Sequence, residues 1–210
     1  MSSKDISLTE LLNEVFRNKM IDVHTSIPAI VVSFDAVKKT ISAIPAIKRK
    51  YEGSVKAEQL PLLVDIPVNF PQSSKAIVAF PLEAGDPVTL VFSERSLDFW
   101  KKSGGIVDPD DRRTHSLSDA VAFPGSFHIG GGIPASSDDF IIKYYNGLIK
   151  MTKDDKITIG NNNAELLKIL SDLLTGLENA LVNTNLGPQP LINASTFTAL
   201  KTVLDNNLRG

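Results

Sequence analysis

The chain has 210 residues, 42% hydrophobic and 22% charged, enough for one ordinary domain or two small ones and the composition of a sequence that folds. Its net charge is −2 with no basic excess, so the charge balance gives no support to nucleic-acid binding, which needs clustered Lys and Arg against phosphates. There is no cysteine, which excludes disulfides and thiolate metal sites.

The opening segment, MSSKDISLTELL, lacks the basic start and apolar run of a secretion signal, and no stretch approaches the ~18–20 apolar residues of a membrane span. The chain is therefore expected to be made as a soluble protein. Residues 6–20 predict a short amphipathic helix. Ser7 and Glu10 stand at capping-box spacing, and Leu8, Leu11, Leu12, Val15 and Phe16 share one face. That face either packs on the chain's own domain or docks on a partner.

Strands follow. Residues 27–34 and 40–48 are rich in Val, Ile and Thr around a turn at Asp35-Ala36-Val37-Lys38, and Pro45 implies an edge or a bulge. After a polar stretch at Glu52-Gly53-Ser54, residues 60–68 predict a third strand. Residues 75–82 and 86–93 predict a hairpin about Glu83-Ala84-Gly85, with Phe80, Val88, Leu90 and Phe92 in the core and Gly85-Asp86 as a turn. Residues 95–103 predict a short helix, 104–116 a polar loop and 119–127 a last strand. Trp100 is expected to pack the short helix on the sheet, and Arg95 to pair with Asp98 or Asp119. Five short strands and one helix in this length suggest a small barrel, of OB-fold type ahead of an SH3-like one.

From Gly130 to Asn163 the sequence repeats every eight residues. Turn-type pairs recur at Gly130-Gly131, Asp138-Asp139, Asn146-Gly147, Asp154-Asp155 and Asn162-Asn163, and Ile133, Ile141, Ile149 and Ile157 form a column in the same phase. One octad is a strand and a turn, too short to bury its apolar face alone. The repeat therefore predicts a β-needle wound from several chains with the isoleucine column on its axis. The alternative is an antiparallel meander within one chain, turning at Asn146-Gly147.

The period then lengthens to that of a helix. Leu166, Leu170, Leu173, Leu177 and Leu181 make a stripe flanked by Leu167, Ile169 and Leu174, with Asn163 as the expected N-cap. Gly187-Pro188-Gln189-Pro190 breaks the pattern, and a second helix over 193–208 carries Phe197, Leu200, Val203, Leu204 and Leu208. The two helices form a hairpin or bundle between chains.

Three segments carry a family resemblance: VDIPVNFP (64–71), FPLEAGDPVTLVFSERSLDFW (80–100) and RTHSLSDAVAFPGS (113–126). Over residues 22–160 the chain resembles the membrane-piercing central spike proteins of contractile-tailed phages, also called baseplate assembly protein V. The resemblance implies a mainly β fold in four parts: an N-terminal helical arm (1–21), an OB-fold domain (22–126), an intertwined trimeric β-helix (127–162) and C-terminal helices (163–210). It also implies a homotrimer in the virion, at the tail baseplate tip. Its barrel is held by the baseplate hub protein, a tape measure protein is a further candidate neighbour, and its needle meets the host cell envelope on sheath contraction. Many such spikes hold one iron at the tip through H-x-H motifs. Here the histidines are His24, His115 and His128, none two residues apart, so no metal is expected and the tip is either helical or closed by a capping protein.

Catalysis finds little footing. Asp108, Asp110 and Asp111 lie near Arg112, Arg113 and His115, but carboxylates in a polar loop read as solvated charge. There is no G-x-S-x-G, H-E-x-x-H or phosphate-cradling loop. No enzymatic activity and no cofactor are expected. A competing reading is an OB-type module for oligonucleotides or glycans, but its only basic cluster, Lys38, Lys39, Lys48, Arg49 and Lys50 with Phe34 and Tyr51, is thin.

Overall fold

Alternation of inward and outward side chains runs through the first half of the chain and bends a sheet around a single core. The computed structural model describes residues 7–51 and 55–207; residues 1–6 of the arm, Glu52-Gly53-Ser54 and Leu208 lie outside the described residues. Backbone contacts divide the chain into two units, Met1–Gly132 and Ile133–Gly210. It is mainly β with a few helices.

The first unit begins with helix α1, Leu8–Ile21. Its capping box forms as the sequence predicts: the Glu10 N–H donates to Ser7 Oγ at 3.2 Å, and the Ser7 N–H donates to Glu10 Oε2 at 2.9 Å. Five strands follow, β1 (Ser26–Asp35), β2 (Thr40–Pro45), β3 (Leu63–Pro67), β4 (Pro87–Phe92) and β5 (Ala120–Pro124). They pair antiparallel in the order β3-β2-β1-β4-β5. Asp35 shapes the first turn, its Oδ1 accepting from the N–H groups of Val37 and Lys38. A register shift between Val31 and Ser33 bends β1.

The sheet curls into a half-barrel. Past the end of β3, Val68 bridges Ala122 in parallel and the Asn69 N–H donates to the Ala122 carbonyl at 2.8 Å, so the two outer strands approach each other. Val31, Ile41, Ile66, Val88, Leu90 and Phe92 fill the inside. Ala29, Ala43, Ala120 and Ala122 are also fully covered, and their small side chains let the walls curve tightly.

The predicted hairpin of 75–82 with 86–93 does not form. β4 has β1 on one edge (Leu90 opposite Ile27) and β5 on the other (Leu90 opposite Ala122), which leaves no edge for residues 75–82. That segment runs without strand pairing apart from a bridge between Gln72 and Ile77. Phe80, expected in the core, is half-exposed and meets Phe70 edge-on, while Val88, Leu90 and Phe92 are buried as expected. Helix α2 (Asp98–Ser103) forms where predicted but buries no residue, and Trp100 is exposed rather than packed on the sheet.

In the second unit, β6 (Phe140–Tyr144), β7 (Gly147–Met151) and β8 (Ile157–Gly160) form an antiparallel meander within the chain. This is the alternative arrangement of the octads. Short turns place successive strands side by side at small entropic cost, so ladder bonds form locally instead of between chains. The first octad forms no strand: residues 131–139 are bends and coil. The first turn falls on Tyr145-Asn146, one residue before the predicted Asn146-Gly147, with Tyr145 at φ 49°.

Helix α3 (Leu166–Glu178) follows, capped by Glu165 rather than Asn163: the Glu165 carboxylate accepts from the N–H groups of Leu167 and Lys168. A hairpin of β9 (Leu181–Thr184) and β10 (Gly187–Pro190) separates it from α4 (Ala194–Asn207). Leu181, expected on the helical stripe, is thus a strand residue.

The junction of β8 and α3 is tight at Gly160, where an added Cβ would lie 2.8 Å from Glu165 Cα and closer still to the Ala164 carbonyl oxygen. Since these are backbone atoms, Gly160→Ala is expected to destabilise the second unit by about 1–3 kcal/mol. An unchanged thermal midpoint by circular dichroism would contradict this packing.

Candidate assembly surfaces

Side chains directly opposite in an antiparallel sheet lie on the same face. In the meander Ile142 opposes Ile149 and Ile149 opposes Ile159, while Phe140 opposes Met151 and Met151 opposes Ile157. One face of the sheet is therefore built from Phe140, Ile142, Ile149, Met151, Ile157 and Ile159. The other carries Ile141, Lys143, Leu148, Lys150 and Thr158. Of the four isoleucines predicted for an axis, Ile149 and Ile157 share the apolar face, Ile141 lies on the opposite one, and Ile133 precedes the sheet. The eight-residue column splits because successive strands here run in opposite directions, with connections of unequal length.

The apolar face is only partly covered. Phe140 is 60% exposed, Ile142 54% and Met151 45%. Among the described residues no hydrophobic side chain of the second unit is buried, and its one buried residue is Ser171. The buried apolar side chains all belong to the half-barrel.

The half-barrel unit has apolar surfaces of its own. Along α1, Leu8, Leu11, Leu12, Val15 and Phe16 form the predicted stripe, and all are exposed. The unpaired run after Gln72 exposes Ile77, Val78 and Phe80. Beside it lies an open cleft of about 300 Å³ whose lining includes Phe34, Phe70, Ile77 and Phe80. Such a cleft suits an apolar side chain of a partner more than a polar ligand.

A polar clasp is centred on Arg113. Its Nε donates to Asp119 Oδ2 at 2.7 Å, its Nη2 to Asp119 Oδ1 at 2.9 Å and to Asp98 Oδ2 at 2.6 Å, and its Nη1 to Asp111 Oδ2 at 3.0 Å. Asp119 is fully buried and also accepts from the Leu97 N–H at 2.9 Å. Burial pushes the Asp119 carboxyl up, but the hydrogen bonds from Arg113 and Leu97, with the charges of Arg113 and Lys101, outweigh it and leave the group below the ordinary carboxylate range. Hydrogen bonds to Asp119 and Asp98 raise Arg113. The clasp ties α2, the polar loop and the start of β5 together.

Arg95 was the expected partner of these carboxylates; it instead pairs with Glu94 at 3.0 Å. Arg113 and Asp119, six residues apart on either side of the Ser116–Asp119 turn, were the signal for the true pair. In the acidic loop, Asp108 and Asp110 are exposed, and Asp111 is engaged with Arg113. In the basic cluster, Arg49 contacts Asp22 at 3.3 Å and Tyr51 Oη at 2.9 Å, while Lys39 Nζ donates to Gln72. Among the described residues no three acidic or histidine side chains are grouped as metal ligands, and no helix is long and apolar enough to cross a membrane.

Residues 27–125, just under half of the chain, match the family described as the phage protein Gp138 N-terminal domain. The match spans all but the first residue of β1 and runs through β5, so the half-barrel is similar to a phage protein domain. No curated protein matches the chain.

Removing the clasp tests its weight. Asp119→Ala leaves Arg113 without its buried partner and is expected to cost about 3–5 kcal/mol, read from the denaturant midpoint. Because the folded-state pKa of Asp119 is depressed, its contribution is present above the ordinary carboxylate value and is lost as pH falls through the depressed one. The stability gap between the natural chain and Asp119→Asn should therefore narrow as pH falls below the ordinary carboxylate value. A constant gap would show that the carboxylate charge does not hold the clasp.

Proposed function

We propose that the chain is a non-catalytic structural protein of a phage tail, acting as a homotrimeric central spike at the baseplate tip. The observation that carries this reading is the partly exposed apolar sheet of the second unit. A unit in which no apolar side chain among the described residues is buried lacks the core that a lone folded unit needs. Phe140, Ile142 and Met151 are about half covered in one chain, so closing the rest contributes about 1 kcal/mol apiece. The sheet is amphipathic in the sense a three-sided needle requires. Three copies turn Ile142, Ile149, Met151 and Ile159 inward and leave Lys143 and Lys150 outside.

The half-barrel supports the same reading. Its neighbour relations, with β1 between β2 and β4 and with β3 approaching β5 in parallel, are those of an OB-type barrel. The similarity to a phage protein domain covers this part. The exposed stripe of α1 and the Ile77–Phe80 run are the surfaces offered to the baseplate hub. In this role the needle transmits load to the cell envelope, and an apolar interior shared by three chains resists separation because its contacts must break together.

Light scattering on the purified chain checks the count. The expected particle has a mass of three chains. Ile142→Asp combined with Ile149→Asp places charge inside the shared face and should lower the denaturant concentration at which the three-chain particle comes apart, while the half-barrel keeps its β-sheet circular dichroism signal. A particle as resistant as that of the natural chain would contradict the assignment of that face.

A further inference from the structure

The helical hairpin of the second unit holds a buried polar contact and leaves an apolar stripe of α3 exposed. Ser171 on α3 is 2% exposed, and its Oγ donates to Asp205 Oδ2 on α4 at 3.1 Å. Asp205 also accepts from Lys201 at 2.9 Å, and Thr198 Oγ1 donates to Glu178 Oε1 at 2.8 Å. The seam within the chain thus carries hydroxyls, carboxylates and an ammonium. On the other side of α3, Leu166, Ile169, Leu170 and Leu173 are all exposed, at the i, i+3, i+4, i+7 spacing of one helix face. Leu167, Leu174 and Leu177 are partly covered within the chain, so this stripe is the part of α3 left without packing.

The stripe has the pattern of a helix that meets copies of itself. With Leu166 and Leu173 at d, Leu170 and Leu177 occupy a, Leu167 and Leu174 occupy e, and Ile169 and Gly176 occupy g. The charged residues Lys168, Asp172 and Glu178 all fall at b, c or f, and Lys168 pairs with Asp172 on its own helix at 2.9 Å. About a symmetry axis every seam residue faces its own duplicate, so a charge there would repel itself. A seam free of charge at all four positions satisfies that condition, which an unrelated partner would not impose. Apolar residues at e and g also widen the stripe beyond the narrow a/d seam of a two-stranded coil, which suits a bundle of more than two.

We propose that α3 is the joint of the assembly: three copies pack in parallel about one axis through Leu166, Leu170, Leu173 and Leu177, with α4 as the outer layer of a six-helix bundle. This rests on the three-copy reading above and assigns it a second interface, separate from the β6–β8 face. The joint fixes the relative register of the three chains.

The absence of cysteine makes the test direct, because any disulfide formed by a single introduced thiol must join two chains. Leu170→Cys and Leu173→Cys are made separately in the full chain, with Lys168→Cys as the control on the opposite side, and each is oxidised mildly and run on a denaturing gel. The expected result is a particle of three chains in which Leu170→Cys and Leu173→Cys give covalent pairs and Lys168→Cys gives none. A three-chain particle with no pair from either seam variant overturns the joint and leaves the trimer intact. Pairing from Lys168→Cys to the same extent overturns it too. A monomeric mass overturns both the joint and the reading it rests on.

Discussion

Apolar surface is buried in this chain almost entirely by its first 130 residues, and the structure's other features follow from that imbalance. The half-barrel gathers Val31, Ile41, Ile66, Val88, Leu90 and Phe92 into one core. The second unit has well-formed ladders and helices but leaves Phe140, Ile142, Met151, Leu170 and Leu173 against solvent. Backbone hydrogen bonds alone contribute little net stability, since the unfolded chain makes equivalent bonds to water. Secondary structure of that kind persists when something covers it.

The two halves suit different mechanical tasks. In the half-barrel, β4 is paired on both edges, and the clasp of Arg113 on Asp98, Asp111 and Asp119 fixes the loop that leads into β5. It has a core of its own. The second unit leaves two apolar surfaces exposed, a sheet face and a helix face. If three copies associate as proposed, such a part is weak as one chain and stiff as three.

Much of this was legible in the residues, and the failures have physical causes. The capping box of Ser7 and Glu10, the Val- and Ile-rich strands and the inward set Val88, Leu90 and Phe92 depend on local chemistry and short periods, which a sequence displays directly. The run 75–82 has strand composition but finds no edge, because β4 is already flanked by β1 and β5; edge availability is a property of the whole sheet. The octad rhythm marked the turns to within a residue at Tyr145-Asn146, yet it could not distinguish pairing within a chain from pairing between chains, and so it placed Ile141 with Ile149. The Arg113 clasp was missed because Arg95 lay nearer in sequence to Asp98, while the geometry of the turn before β5 brings Arg113 to Asp119.

Hydrogen exchange resolved by segment, measured on the full chain at high and at very low concentration, addresses the central claim most directly. If association supplies the missing core, amides of β6–β8 and α3 are protected as strongly as those of β1 and β4 at high concentration and lose that protection on dilution, while the half-barrel keeps its own. Protection of β6–β8 and α3 that persists unchanged in the diluted monomer would contradict the account, since the second unit would then be stable without its copies.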